Sequence, residues 1–374
     1  MPPDDLTHGG VTADLLAEGA RVFAVCNACR YCEQYCPVFP AMEERRTFAS
    51  IDLAYLANLC HNCGECLYAC QYAPPHEFGI NVPETLARLR LRSYEHYCWP
   101  SSFARAFRAN GVVAGIGLAV SLMAILTAAT FMASDGVPRP STPGDFYAVI
   151  PHHIMVAIFA TVFAFAVLAL SVAVSRFARD IRDRAHGTAS SASGSSRARA
   201  LRDILTLRHL HATGVDCVTA EEFRTPFRRW CHHATFYGFM LCFASTTVAA
   251  VYHGMFGWRA PYSYTSLPVV LGVLGGIGLT VGPAGLWWLR RRRDPALTDS
   301  NQDALDEGFL ALLLITSISG LALLLLRSRT LMPAVLIAHL GAVLALFLLL
   351  PYGKFVHGLY RAVALVVFAK EQQS

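Results

Sequence analysis

The chain has 374 residues, of which 54% are hydrophobic, with a mean hydropathy of +0.41 and a formal net charge of +5. That balance is too apolar for an ordinary soluble protein, and long uncharged runs account for it. It contains no Walker loop or dinucleotide-binding glycine motif, and no nucleic-acid partner is expected.

Met1 to Gly19 is acidic and polar and lacks the apolar core of a signal peptide, so the cysteines that follow are expected in a reducing compartment. Apolar residues at helical spacing from Val11 to Phe23 predict a helix leading into C-N-A-C-R-Y-C-E-Q-Y-C-P, Cys26 to Pro37. A second run, C-H-N-C-G-E-C-L-Y-A-C, spans Cys60 to Cys70. Each reads C-x2-C-x2-C-x3-C, the spacing that binds [4Fe-4S] clusters: three close thiolates wrap three corners of a cubane and a distant fourth closes it. In two-cluster ferredoxins the fourth cysteine serves the other cluster. Cys26, Cys29, Cys32 and Cys70 are thus assigned to one cluster, and Cys60, Cys63, Cys66 and Cys36 to the other. Zinc prefers ligands in two spaced pairs, and disulfides do not favour this spacing. Two clusters sharing ligands this way point to electron transfer. Cys98, Cys217, Cys231 and Cys242 are scattered and read as free thiols or packing residues.

Between the runs, Glu43 to Asn58 predicts a helix, which indicates an α-helical ferredoxin rather than the small β-type. Tyr72 to Pro83 is loop-like from its prolines. Glu84 to Tyr97, with Arg88, Arg90 and Arg92, predicts a basic helix, either against a membrane surface or partner or with a solvated charged face. Six apolar runs follow: Gly111–Ala133, Phe146–Ser175, Cys231–Trp258, Ser266–Leu289, Gly308–Leu326 and Leu331–Gly353. Each is long enough to cross a bilayer. Gly187 to Ala200 is Ser/Ala/Gly/Arg-rich and expected to be flexible, while Leu201 to Trp230 is a candidate to dock on the cluster domain. Arginines concentrate on one side of the six crossings, placing both termini and the clusters in the cytoplasm and the chain in the inner membrane. The expected organisation is all-α. Residues 1–100 form an α-helical ferredoxin domain, and 101–175 hold spans one and two. A basic cytoplasmic loop covers 176–230, and 231–374 hold spans three to six with a short tail, completing a six-helix, cytochrome b-like bundle.

Polar residues inside lipid are costly and mark function. Seven histidines lie in or at the ends of spans: His152, His153, His232, His233, His253, His339 and His357. Imidazole is the usual axial ligand of haem b. His339 and His357 are 18 apart, five full turns and about 27 Å on one continuous helix. This predicts an inner pairing of His232 or His233 with His357 and an outer pairing of His253 with His339, for one or two haems. His152 and His153 are spare outer ligands or quinone-site groups. A lone membrane histidine can equally be a hydrogen-bonded structural residue.

The segments Y-A-C-Q-Y-A-P-P-H-E-F-G-I-N-V-P (Tyr68–Pro83), R-R-W-C-H-H-A-T-F-Y-G-F (Arg228–Phe239), G-W-R-A-P-Y (Gly257–Tyr262) and S-L-P-V-V-L-G (Ser266–Gly272) resemble the tricarballylate utilization protein B family, also called the citrate utilization B family. P-Y-G-K-F-V-H, Pro351 to His357, is similar to the haem-ligand segment of nitrate reductase gamma subunits. The family resemblance implies a quinone-reducing electron-transfer subunit. It would reoxidise the flavin of a separate FAD-dependent tricarballylate dehydrogenase and pass electrons through the clusters and haem b to the quinone pool. Alternatives are a redox subunit for another dehydrogenase or a heterodisulfide-type reductase, or a citrate or tricarballylate permease. A permease should show paired broken helices and charged groups at midplane, which the spans lack.

Overall fold

The computed structural model describes residues 10–103, 111–133, 144–185, 194–210 and 226–372, which are helical with no strand among them. Five helices precede the apolar runs: α1 (Gly10–Cys29), α2 (Val38–Glu43), α3 (Ser50–Leu59), α4 (Glu65–Tyr68) and α5 (Val82–Tyr97). The expected first helix extends to Cys29 and carries two cysteines in its last turns. The helix expected over Glu43–Asn58 is two helices, α2 and α3, with Asp52 accepting from the Ala49 N–H at the start of α3.

The basic helix α5 buries one face and leaves Arg88, Arg92 and His96 toward solvent. Leu86, Leu89, Arg90, Ser93, Tyr94 and Tyr97 are buried in the core that α1 and α3 share. Its arginines made it look like a surface helix because a charge pattern does not show where a guanidinium finds acceptors. Arg90 Nε donates to the Ala57 carbonyl at 2.8 Å, and its Nη2 donates to that of Cys60 at 2.8 Å.

The apolar runs form α6 (Gly111–Ala133), α7 (His152–Ala185), α9 (Phe227–Phe256), α10 (Leu267–Arg291), α11 (Ser300–Leu326) and α12 (Met332–Leu349), and α8 (Gly194–Leu205) lies between α7 and α9. Among the described residues five of these, α7 and α9 to α12, are long and apolar enough to cross a membrane, and the chain is a membrane protein by that measure. The sixth expected span, α6, contributes a shorter apolar helical segment over 115–127. Helix α7 has 34 residues, about 51 Å of helix, more than a bilayer needs. Its far end leaves the bundle and buries Ala173, Phe177 and Ile181 in the core of α1, α3 and α5. The tract expected to be flexible is helical from Gly194. Residues 186–193 lie outside the described set, as do 211–225 with Cys217. Ala200 is buried and Ile204 packs against the same core, so apolar burial along one side of α8 holds it.

The last span also differs from the reading of one continuous helix. Helix α12 stops at Leu349, and a separate helix, α13 (Val356–Glu371), follows a turn at 350–355. Pro351 has no N–H to continue the ladder, and the turn closes through Gly353 N to the Leu349 carbonyl at 2.8 Å. His339 and His357 therefore lie on different helices, and the shared-face argument does not apply to them. Helix α13 runs into the cluster-bearing helices, where Tyr360, Ala364 and Leu365 are buried. At its end Glu371 accepts from Tyr55 Oη at 2.8 Å and pairs with Arg45 at 2.7 Å.

Candidate functional site

Helix α1 ends in the first cysteine run, and the second run leaves α3 at Cys60 and re-enters helix at α4. Gly64 makes the turn between them in the left-handed region, φ +89°, against Leu297. The fourth thiol of each run lies by the first thiols of the other. Cys26 interacts with Cys70, Cys32 and Cys29, and Cys32 with Cys70 and Cys29. Cys36 interacts with Cys60 before Cys32, and Cys66 with Cys36 and Cys60 before Cys32 and Cys26. Cys63 is buried on the second loop. No three described His, Cys, Asp or Glu side chains close around a point as around a single metal ion, whereas a cubane spreads its ligands over a wider cage.

The thiols fit an iron–sulfur group chemically. Burial first, and neighbouring thiols second, push Cys26, Cys32 and Cys36 up to about 12. Such a cage ionises only around a cation, which is how a metal binds thiolates. Asn62 N–H donates to Cys60 Sγ at 3.3 Å, and Gln71 Nε2 donates to Cys29 Sγ at 3.8 Å. Such donors tune a cluster once it is bound.

The two halves of the cage differ. Ala28, Arg30, Tyr31, Glu33 and Gln34 around the first run are exposed, with Tyr31 at 65%. His61, Asn62, Cys63 and Glu65 of the second run are buried. Arginines converge on that buried loop. Besides Arg90, Arg228 donates to the carbonyls of Asn62 at 3.1 Å and His61 at 3.2 Å, and Arg293 donates to that of Asn62 at 2.6 Å. Burial drives the His61 imidazole well below its ordinary range, so it is neutral among these cations. Sequence reasoning missed all of them. The available signal was the R-R-W-C-H-H segment, which sets Arg228 four residues before His232.

Arg228 stands at the root of α9 and links the cage to the histidines. One turn on, half-buried His232 feels the charges of Arg228, His357 and Arg361. His357 is likewise half-buried. His357 Nδ1 engages the Lys354 carbonyl, leaving Nε2 as the lone-pair nitrogen. His233 turns the other way, with Nε2 3.2 Å from the Thr206 carbonyl.

At the opposite end of α9, His253 stacks on His152 with ring centroids 3.7 Å apart, and the Tyr147 hydroxyl lies 3.5 Å from His253 Nδ1. His153 is exposed. His339 packs on α11, with Nδ1 3.1 Å from Ser319 Oγ and its ring against Gly320. The structure thus stacks His253 on His152 and places His339 against Ser319, while His232 and His357 are linked by a charge interaction.

The family profile described as Citrate utilization protein B matches residues 104–374, and the Citrate utilization protein B Fer4-like domain matches residues 19–96. The chain belongs to the citrate utilization protein B family. It is 48% identical over 358 residues to Citrate utilization protein B of Escherichia coli, covering 96% of this chain and 93% of that relative. No solved structure matches it. For this member of the citrate utilization protein B family, the Fer4-like match covers all eight cysteines of the cage and supports an iron–sulfur electron-transfer role.

Proposed function

We propose that this protein is the membrane-bound, quinone-reducing partner of a soluble FAD-dependent dehydrogenase, taking electrons from its reduced flavin. The resemblance and the relative's name support tricarballylate or citrate breakdown as the setting, with tricarballylate dehydrogenase as the partner. Two [4Fe-4S] clusters and a haem b supply the one-electron chemistry when bound. Cys26, Cys29, Cys32 and Cys70 hold one cluster; Cys36, Cys60, Cys63 and Cys66 hold the other. His232 and His357 hold the haem.

The observation that carries this reading is the continuity at Arg228. Its guanidinium holds the backbone of the buried cysteine loop, and its helix presents His232 to His357 one turn later. The chain thereby joins a thiol cage to an imidazole pair inside the membrane bundle. The Lys354 carbonyl fixes the His357 tautomer, as second-shell acceptors do for metal-ligating histidines. The contact of His233 with Thr206 and that of His339 with Ser319 on α11 favour His232 and His357 as the ligands. The quinone pool is the acceptor we assign, in keeping with the family resemblance and the five membrane-capable helices.

The test is optical. His232→Ala and His357→Ala are each expected to abolish the dithionite-reduced α-band of the purified protein while its iron–sulfur EPR signals persist. His233→Ala and His339→Ala should keep the band. An α-band that survives both His232→Ala and His357→Ala would move the haem to the outer histidines. Protein that the flavoprotein cannot reduce, or that fails to reduce a quinone analogue, would overturn the wider reading.

A further inference from the structure

Four arginines surround the buried half of the thiol cage, and three are occupied with backbone. Arg90, Arg228 and Arg293 donate to the carbonyls of Ala57, Cys60, His61 and Asn62. Arg361, on the second turn of α13, is different. Its Nη2 is fully buried and has no hydrogen-bond partner among the described residues. The groups whose charges act most strongly on it are Cys60, Arg90, Cys36 and Arg228, two thiols and two cations. A guanidinium carries its positive charge at every accessible pH, and a buried N–H group of it left without an acceptor is costly. That cost is offset only if an anion faces it. The anions the site offers are the thiolates of Cys36 and Cys60 around a bound cluster.

The other half of the cage lacks this arrangement. The strongest charges acting on Cys32 are those of Cys70, Cys29 and Glu65, all negative when ionised, and the residues around its run are exposed to water. Water screens such charges, whereas a buried cation acts on its neighbours with far less screening. Reduction adds one electron to a cluster with no bond made or broken. A fixed positive charge beside the ligands therefore stabilises the reduced form and raises the potential.

We propose that Arg361 is a positioning residue for the cluster held by Cys36, Cys60, Cys63 and Cys66, raising its potential. This rests on the iron–sulfur reading above. The reduced flavin of the partner then gives its electrons at the exposed first run, and the arginine favours their passage to the buried loop.

The experiment is an EPR-monitored redox titration of the detergent-purified full-length protein, with iron and acid-labile sulfide measured on each sample. The cluster in question is the signal that Cys36→Ser removes. Arg361→Gln and Arg361→Met should each lower the midpoint of that cluster and leave the other unmoved. Arg361→Lys, which keeps the charge, should retain most of the wild-type value. The proposal is overturned if both midpoints stay put in the neutral variants, if both shift together, or if Arg361→Lys falls as far as Arg361→Gln. It is also overturned if every neutral variant loses the cluster, since the arginine would then be structural. Wild-type protein without iron and sulfide would instead sink the iron–sulfur reading itself.

Discussion

At the scale of single residues the two cysteine runs act as one unit, because Cys36 sits by Cys60 and Cys66 while Cys70 sits by Cys26 and Cys32. Cys36→Ser is therefore expected to damage the cluster of the second run, and Cys70→Ser that of the first. Iron content and EPR of each variant check this; loss of the same signal from both would refute the crossed assignment. Gly64 is a second sensitive point. Its φ of +89° is strained for any other residue, and a Cβ there would come within 2.7 Å of Leu297. Gly64→Ala should cost about 1–3 kcal/mol and lower the melting temperature of the loaded protein. The cysteines were legible because cluster ligation is a matter of local spacing. The arginines were not, because each reaches the loop from a distant part of the chain and binds backbone carbonyls that carry no side-chain signature.

At the scale of elements the apolar runs announced themselves by length, while the ends of the helices did not. The turn at 350–355 and the helix α13 after it lie beyond the apolar run, where composition is mixed and only tertiary contacts decide. That helix is latched at its far end. Glu371 accepts from Tyr55 and pairs with Arg45, whose Nε also lies 3.1 Å from Asp52, all three acids and bases nearly buried. Glu371→Ala leaves Tyr55 without its acceptor and Arg45 with Asp52 as its remaining acid, and is expected to cost about 1–3 kcal/mol. Faster proteolysis of the C-terminal helix would report it, and unchanged protection would show the latch to be idle. Within the bundle, α9 and α10 approach through glycine. A Cβ on Gly275 would come within 2.7 Å of Cys242 N and 2.8 Å of Gly238 O, backbone atoms that cannot turn aside. Small residues allow helices in membranes to pack this closely. Gly275→Ala should destabilise by about 1–3 kcal/mol, the cost of overpacking, and a melting temperature equal to wild type would argue against so close a crossing.

At the scale of the whole molecule, charge and chemistry are segregated to the same end. The cysteine cage, the arginines of the α7 tail, Arg228 and Arg229, the run Arg290 to Arg293 and Lys354 all lie where α1 to α5 meet the bundle. Two of these charges are tied into the fold: Arg290 pairs with Asp303 and Asp306, and Lys354 bridges to Asp306 at 2.7 Å. The opposite end, marked by His152, His253 and Tyr147, carries Arg259, Arg327 and Arg329, of which Arg327 donates to the Tyr262 carbonyl at 2.7 Å and stacks on Tyr264. Positive residues are retained on the cytoplasmic side of a membrane, so from this asymmetry we propose an orientation with the cage inward. That orientation would also suit the proposed chemistry, because iron–sulfur thiolates and the proposed flavoprotein partner would both belong in the reducing compartment. A reporter joined after Ser374 is accordingly expected to be active in the cytoplasm, and one joined after Ser263, in the turn between α9 and α10, only on the far side of the membrane. Cytoplasmic activity from both fusions would reject the orientation. The reverse pattern would place the cage outside, where a cytoplasmic dehydrogenase could not reach it, and would remove the proposed partner along with the topology.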